Sequence, residues 1–85
     1  MLDVKKFGRR LSYLRRKAHL RQQDVAESCF VSVQAVSKWE RGQCCPDLLL
    51  LDNIASVLGV EIKDLFEEEN NKDFVNEVKN AYEEV

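Results

Sequence analysis

One proline and three glycines in 85 residues leave too few chain breakers for a turn-rich β-sandwich or a collagen-like chain. Cys29, Cys44 and Cys45 cannot all pair within one chain, and two of them are adjacent, so a secreted disulfide framework is not expected. With His19 as the sole histidine they also miss the spacings of a zinc site, and neither a metal nor a cofactor is expected. No run approaches the roughly 20 consecutive apolar residues that cross a bilayer. The opening MLDVKKFGRR lacks the apolar stretch and small-residue cleavage site of a signal peptide. A cytoplasmic chain with no membrane partner follows. No glycine-rich phosphate loop and no nucleophile beside a base can be picked out, which disfavours an enzyme.

What the chain does have is charge and leucine: 33% charged and 45% apolar residues suit packed helices. A chain this short buries only about 60% of its unfolded surface and cannot support two separate cores. The fold class expected is all-α. The net charge of −2 hides an asymmetry. Met1 to Gln43 carries ten Lys or Arg against four acids, and Cys44 to Val85 carries three lysines against eleven acids. A basic half joined to an acidic half suggests a polyanion-binding face opposite a solvating or partner-binding one.

Hydrophobic spacing predicts six helical segments. Val4, Phe7, Leu11, Leu14 and Ala18 recur at 3-4-3-4 intervals on one face, with Asp3 as N-cap. A second segment spans about Gln22 to Cys29, with Val25, Ala26 and Cys29 inward. Ser32 caps a third, Val33 to Arg41, which Gly42 ends and whose Val36 and Trp39 face inward. Asp47 caps a fourth running to Leu58 and stopped by Gly59, with Leu48, Leu51, Ile54, Ala55 and Leu58 as its core arc. Leu49 falls among Asp52, Asn53 and Ser56 and needs a neighbour, a partner, or acceptance as an ordinary exposed leucine. Val60 to Phe66 forms a fifth, capped by Glu61 and burying Ile62, Leu65 and Phe66. After the hinge Glu67-Glu68-Glu69-Asn70-Asn71, a sixth helix places Phe74, Val75, Val78, Ala81, Tyr82 and Val85 within an arc of roughly 120°. Residues 1–66 thus form one compact unit and 67–85 an acidic hinge with an amphipathic C-terminal helix.

Two short helices on a tight connection, the second with a buried rear and a polar front, are the parts of a helix-turn-helix that lays one helix in a DNA major groove. The stretch from Leu20 to Gly42 resembles the phage Cro and repressor type of helix-turn-helix, the XRE family. The resemblance rests on Gln22 opening the second helix, Ala26 within it, Val31-Ser32 before the third, and Val36-Ser37-Lys38-Trp39-Glu40-Arg41-Gly42 closing it. Leu11 and Arg15 upstream, and Pro46-Asp47, Ile54-Ala55 and Leu58-Gly59-Val60 downstream, extend it over about residues 4–66.

The resemblance implies a five-helix DNA-binding domain. It sets Val33, Gln34, Ser37 and Lys38 against base edges: glutamine suits adenine, lysine guanine, valine a thymine methyl, and serine several bases. It sets Gln22 against a phosphate at a helix N-terminus, with Arg21 and Arg41 as further phosphate contacts. Arg15 and Glu40 correspond to an ion pair tying the first helix to the end of the third. Four base-facing side chains are too few for useful specificity, so a homodimer on an inverted repeat of double-stranded DNA, acting as a transcriptional repressor, is expected. Leu49, Phe74, Val78 and Tyr82 are the candidate dimer contacts. Docking of the C-terminal helix on its own domain near Leu49 is the competing arrangement. The alternative function is an antitoxin or protein-interaction module whose acidic C-terminal helix binds a protein partner. A thiol-sensor role for Cys44 and Cys45 is disfavoured, because an adjacent pair forms a strained disulfide.

Two positions depart from the family pattern. Phe30 stands where a glycine usually makes the turn, so either the turn is rebuilt or packing pins Phe30. Arg21 stands where Thr or Ser is frequent, which costs the second helix a side-chain cap.

Overall fold

The computed structural model describes residues 3–66, which contain four α-helices, two 3₁₀ turns and no strand among the described residues. Helix α1 runs Val4–Lys17, and Asp3 Oδ1 accepts from the backbone N–H groups of Lys5 and Lys6 at 2.8 and 3.3 Å. Phe7, Leu11 and Leu14 are buried, whereas Val4 and Ala18, at the two ends of the predicted stripe, are exposed. Ala18 is already the C-cap, and His19 turns the chain with a φ of 59°.

Helix α2 runs Gln22–Cys29. Arg21 supplies no side-chain cap, but Asp24 Oδ2 accepts the Arg21 backbone N–H at 2.8 Å. The Arg21 guanidinium beside Asp24, then that backbone hydrogen bond, hold the Asp24 carboxyl below the usual range. Backbone hydrogen bonds from Lys6 and Lys5 do the same for Asp3. Groups whose pKa is depressed on folding stabilise the fold above the ordinary aspartate range and lose that contribution as pH falls through their folded values. Acidification from pH 5 should therefore lower the melting temperature, and Asp3→Asn with Asp24→Asn should flatten that slope in melts followed by circular dichroism.

The chain leaves α2 through Phe30, at φ 57° and ψ 40°, with Val31 N–H donating back to the Ala26 carbonyl at 3.0 Å. The turn is not rebuilt and packing does not hold it: the left-handed conformation is kept, and Phe30 is 90% exposed. The two backbone hydrogen bonds that close this end of α2 need only a left-handed residue there, whatever its side chain. Phe30→Gly should raise stability by about 1 kcal/mol, because it removes left-handed strain without removing packing. Urea unfolding would show it as a higher midpoint with an unchanged slope.

Helix α3 runs Val33–Glu40, with Ser32 Oγ accepting from the Ala35 N–H at 3.1 Å and Gly42 leaving at φ 74°. Asp47 caps a 3₁₀ turn, Leu48–Leu50, and α4 follows as Leu51–Leu58, closed by Gly59. A single helix from Asp47 is therefore corrected. A 3₁₀ turn advances 120° per residue, against about 100° in an α-helix, and this takes Leu48 out of the core arc. Leu48 is 76% exposed and Leu49 82%, while Ile54, Ala55 and Leu58 are buried.

The predicted fifth helix is a 3₁₀ turn, Ile62–Leu65, in which only Leu65 is buried. Its start is closed by Asp64 Oδ2 accepting the Glu61 N–H at 2.9 Å, and the Glu61 side chain makes no cap. Ile62 and Phe66 stay exposed because so short a turn has one inward position. The sixth helix, with Phe74, Val78 and Tyr82, lies outside the described residues.

α1 packs on α3, α3 on α2, and α2 on α4. Leu11, Val25, Val36, Ile54 and Leu65 meet in the centre, and Trp39 completes the core from the rear of α3.

Candidate nucleic-acid interface

The rear of α3 is buried through Val36 and Trp39, and its front carries Val33, Gln34, Ser37 and Lys38. At about 100° per residue those four lie within roughly 140° of the helix circumference. Val33, Gln34 and Lys38 are exposed and Ser37 is half-buried. Side chains that differ in donors, acceptors and apolar surface therefore share one solvent-facing strip.

The C-terminal end of α3 is fixed from two sides. Arg15 Nε donates to Glu40 Oε2 at 2.6 Å and Arg15 Nη2 to Glu40 Oε1 at 3.0 Å, a bidentate pair with both residues buried. The remaining guanidinium nitrogen, Nη1, donates to the Leu20 carbonyl at 2.9 Å. Gln22 Nε2 also donates to Glu40 Oε1, at 3.0 Å. One carboxylate thus gathers α1, α2 and the end of α3, with hydrogen bonds that offset part of its desolvation.

Gly8 makes the second restraint. A Cβ there would sit 2.8 Å from the Glu40 carbonyl oxygen and closer still to that of Trp39, so only glycine lets α1 approach the α3 backbone this closely. Sequence reasoning missed Gly8. A lone glycine inside a strong helical pattern was the available signal, since it costs the helix about 1 kcal/mol against alanine.

Of the phosphate candidates, Gln22 lies at this junction, and Arg21 and Arg41 flank it in the chain. The Gln22–Glu40 bond brings the start of α2 to the end of α3. The Gln22 amide nitrogen is engaged by Glu40. The first backbone N–H groups of α2 and the positive end of its dipole favour an anion at this end. Arg21 is exposed and bonded to Asp24 through Nη2 at 2.9 Å and Nε at 3.3 Å. Exposed pairs of this kind are weak and exchange readily for another anion. Arg41 is exposed, with Nε donating to the Ser37 carbonyl at 3.2 Å.

Leu49 is exposed in the turn that leads into α4. Cys44 and Cys45 are exposed in the loop after α3, while burial pushes the Cys29 thiol up. Among the described residues no three His, Cys, Asp or Glu side chains are grouped to hold a metal ion, and no helix is long and apolar enough to cross a membrane.

A family model described as helix-turn-helix matches residues 11–65. The chain is 39% identical over 62 residues to the HTH-type transcriptional regulator DdrOP3 of Deinococcus deserti, covering 73% of this chain and 48% of that protein. It is 37% identical over 59 residues to the HTH-type transcriptional activator BcrR of Enterococcus faecalis, covering 69% of this chain and 29% of that one. An uncharacterised HTH-type transcriptional regulator of Methanocaldococcus jannaschii is 39% identical over 57 residues, covering 67% and 86%. The chain therefore spans about half of the first relative and under a third of the second. The crystal structure of the restriction-modification controller protein C.AhdI from Aeromonas hydrophila superposes with a TM-score of 0.71 at 34% identity, covering 75% of this chain and 93% of that one.

Proposed function

The chain belongs to the helix-turn-helix family, of the phage Cro and repressor (XRE) type, and from that premise we propose that it is a sequence-specific DNA-binding regulator of transcription. The observation that carries this reading is the buried Arg15–Glu40 pair with Gln22. It holds α3 by one end and leaves a mixed polar strip facing outward.

In this proposal α3 enters the major groove. Gln34 reads adenine through N6 and N7, Lys38 donates to guanine O6 and N7, Val33 touches a thymine methyl, and Ser37 contacts a neighbouring base. The N-terminus of α2 at Gln22 meets a backbone phosphate, and Arg21 and Arg41 neutralise others. The regulator acts in the cytoplasm as a homodimer on an inverted repeat, with Leu49 and the segment carrying Phe74, Val78 and Tyr82 as the dimer contact. By occupying its operator it represses.

Selection of bound duplexes from a random-sequence library, followed by sequencing, tests the proposal. An enriched inverted repeat is the expected result. Salt-sensitive binding without enrichment would sink sequence-specific readout. The two contact classes then separate by substitution. Gln34→Ala should cost about 1–3 kcal/mol at one base position and relax preference there, whereas Arg21→Ala should weaken all sequences alike and reduce the salt slope by about 1. Competition binding against single-base operator variants distinguishes the two. Loss of stability with unchanged preference in Gln34→Ala would remove α3 as the reader.

A further inference from the structure

Cys44 and Cys45 are two thiols for which DNA binding has no use. Both are free and exposed, whereas the third, Cys29, is buried in the core at 2% exposure. Consecutive Cα atoms lie about 3.8 Å apart across a trans peptide, so no helix has to move to bring one thiol beside the other.

The loop that carries them is held at both ends. Gln43 N–H donates to the Lys38 carbonyl at 2.9 Å, and Gly42 sits so close to α1 that an added Cβ would lie 2.9 Å from Lys5 Cγ. At the far end Asp47 Oδ1 accepts the Leu49 N–H at 2.9 Å. Between these anchors Pro46 offers no N–H and favours extended backbone at Cys45. The two thiols therefore stand on a short, anchored bridge and face solvent.

Their chemistry is narrowed from two sides. A disulfide needs an S–S bond of about 2.0 Å with a fixed dihedral, which neighbouring residues meet only under strain, so the pair is kept as two thiols. Among the described residues no third His, Cys, Asp or Glu side chain joins them in a group that could hold a metal ion, so a zinc-like ion that takes four ligands is not served. What two thiols alone can satisfy is a thiophilic centre that brings its remaining substituent with it.

We propose that Cys44 and Cys45 form a dithiol site for a trivalent organoarsenical. The As=O bond of an organoarsenic oxide is exchanged for two As–S bonds, and the two thiol protons leave with the oxygen as one water. Arsenic stays trivalent, so no oxidant or reductant takes part. The second sulfur closes the chelate within the same chain, at an effective concentration in the millimolar range, which is what separates a pair from two single thiols. The site is independent of base reading by α3.

Phenylarsine oxide, added to the phosphine-reduced full chain and followed by intact-mass spectrometry, is the probe. One adduct per chain is expected, heavier by the reagent less one water. It should persist in excess mercaptoethanol and be stripped by dimercaptopropanol. Cys44→Ser and Cys45→Ser should each weaken retention against the monothiol by at least about a hundred-fold, and Cys29→Ala should leave it unchanged. Both serine replacements are at exposed positions, so their effect is not a loss of the fold. An adduct that either serine variant retains, or one that depends on Cys29, would overturn the proposal. No adduct, or one arsenic joining two chains, would overturn it equally.

Discussion

Glu40→Ala is expected to cost about 3–5 kcal/mol, because it leaves the Arg15 guanidinium buried without its counter-charge. The Gln22 amide loses its acceptor as well. A domain of this size has a total stability near the lower end of about 5–15 kcal/mol, so most of the margin goes. The melting temperature should fall by more than about 10 °C. The informative comparison is the paired replacement Arg15→Met with Glu40→Leu, which removes both charges and fills the space. It should recover most of the loss, since a buried ion pair is worth little over apolar packing even though breaking it is severe. A single-variant loss below about 1 kcal/mol in thermal and urea unfolding would mean that the pair behaves like an exposed one. In the proposed reading the pair serves to orient α3, and the recovered double variant tests that: it should fold yet discriminate less well among operator variants.

Gly8→Val should be comparably damaging. Helix propensity alone favours replacing a glycine inside a helix, by about 1 kcal/mol for alanine. The added Cβ, however, would overlap the Trp39 and Glu40 carbonyl oxygens, which belong to the backbone at the end of α3 and cannot rotate away. Overpacking of this kind costs about 1–3 kcal/mol, and a branched side chain falls at the upper end or beyond it. Gly8→Ala should also lose stability despite its better propensity, which separates close approach from conformational freedom. At Gly59 an added Cβ would meet nothing within 4 Å, and the φ of 73° leaves only left-handed strain, about 1 kcal/mol. Equal losses for Gly8→Ala and Gly59→Ala in urea unfolding would contradict the close-approach argument.

The helices were legible where caps and periodicity agree. Asp3, Ser32, Gly42 and Gly59 each sit where their chemistry ends or begins a helix, and α2 has the bounds that its flanking residues suggest. Legibility failed where the period changed. Leu48-Leu49-Leu50 reads as the first turn of an α-helix, and nothing local distinguishes that from the tighter 3₁₀ turn that turns Leu48 outward. The same limit applied to Ile62 and Phe66. The front of α3 could be named from the chain, because residues opposite Val36 and Trp39 must face away from the core. The junction behind it was less accessible, since Gln22 reaches Glu40 across 18 positions and neither residue announces the other. Phe30 shows a different limit: the turn demanded a left-handed residue, and a bulky one adopts the conformation at a cost that the sequence could flag but not resolve.

The caps also bear on how the chain finds its fold. Those made by Asp3, Asp24, Ser32, Asp47 and Asp64 each close within three residues, so every helical segment can begin to form before it meets another. The contacts that fix α3, by contrast, join residues 18 and 25 positions apart, or reach from Gly8 to Trp39. Helical turns form in under about a microsecond, and chains dominated by local contacts fold in microseconds to milliseconds. The arrival of α1 against the end of α3 is thus expected to follow the local turns, because it closes a longer stretch of chain. The outward strip of α3 therefore owes its orientation to the non-local contacts and not to the caps.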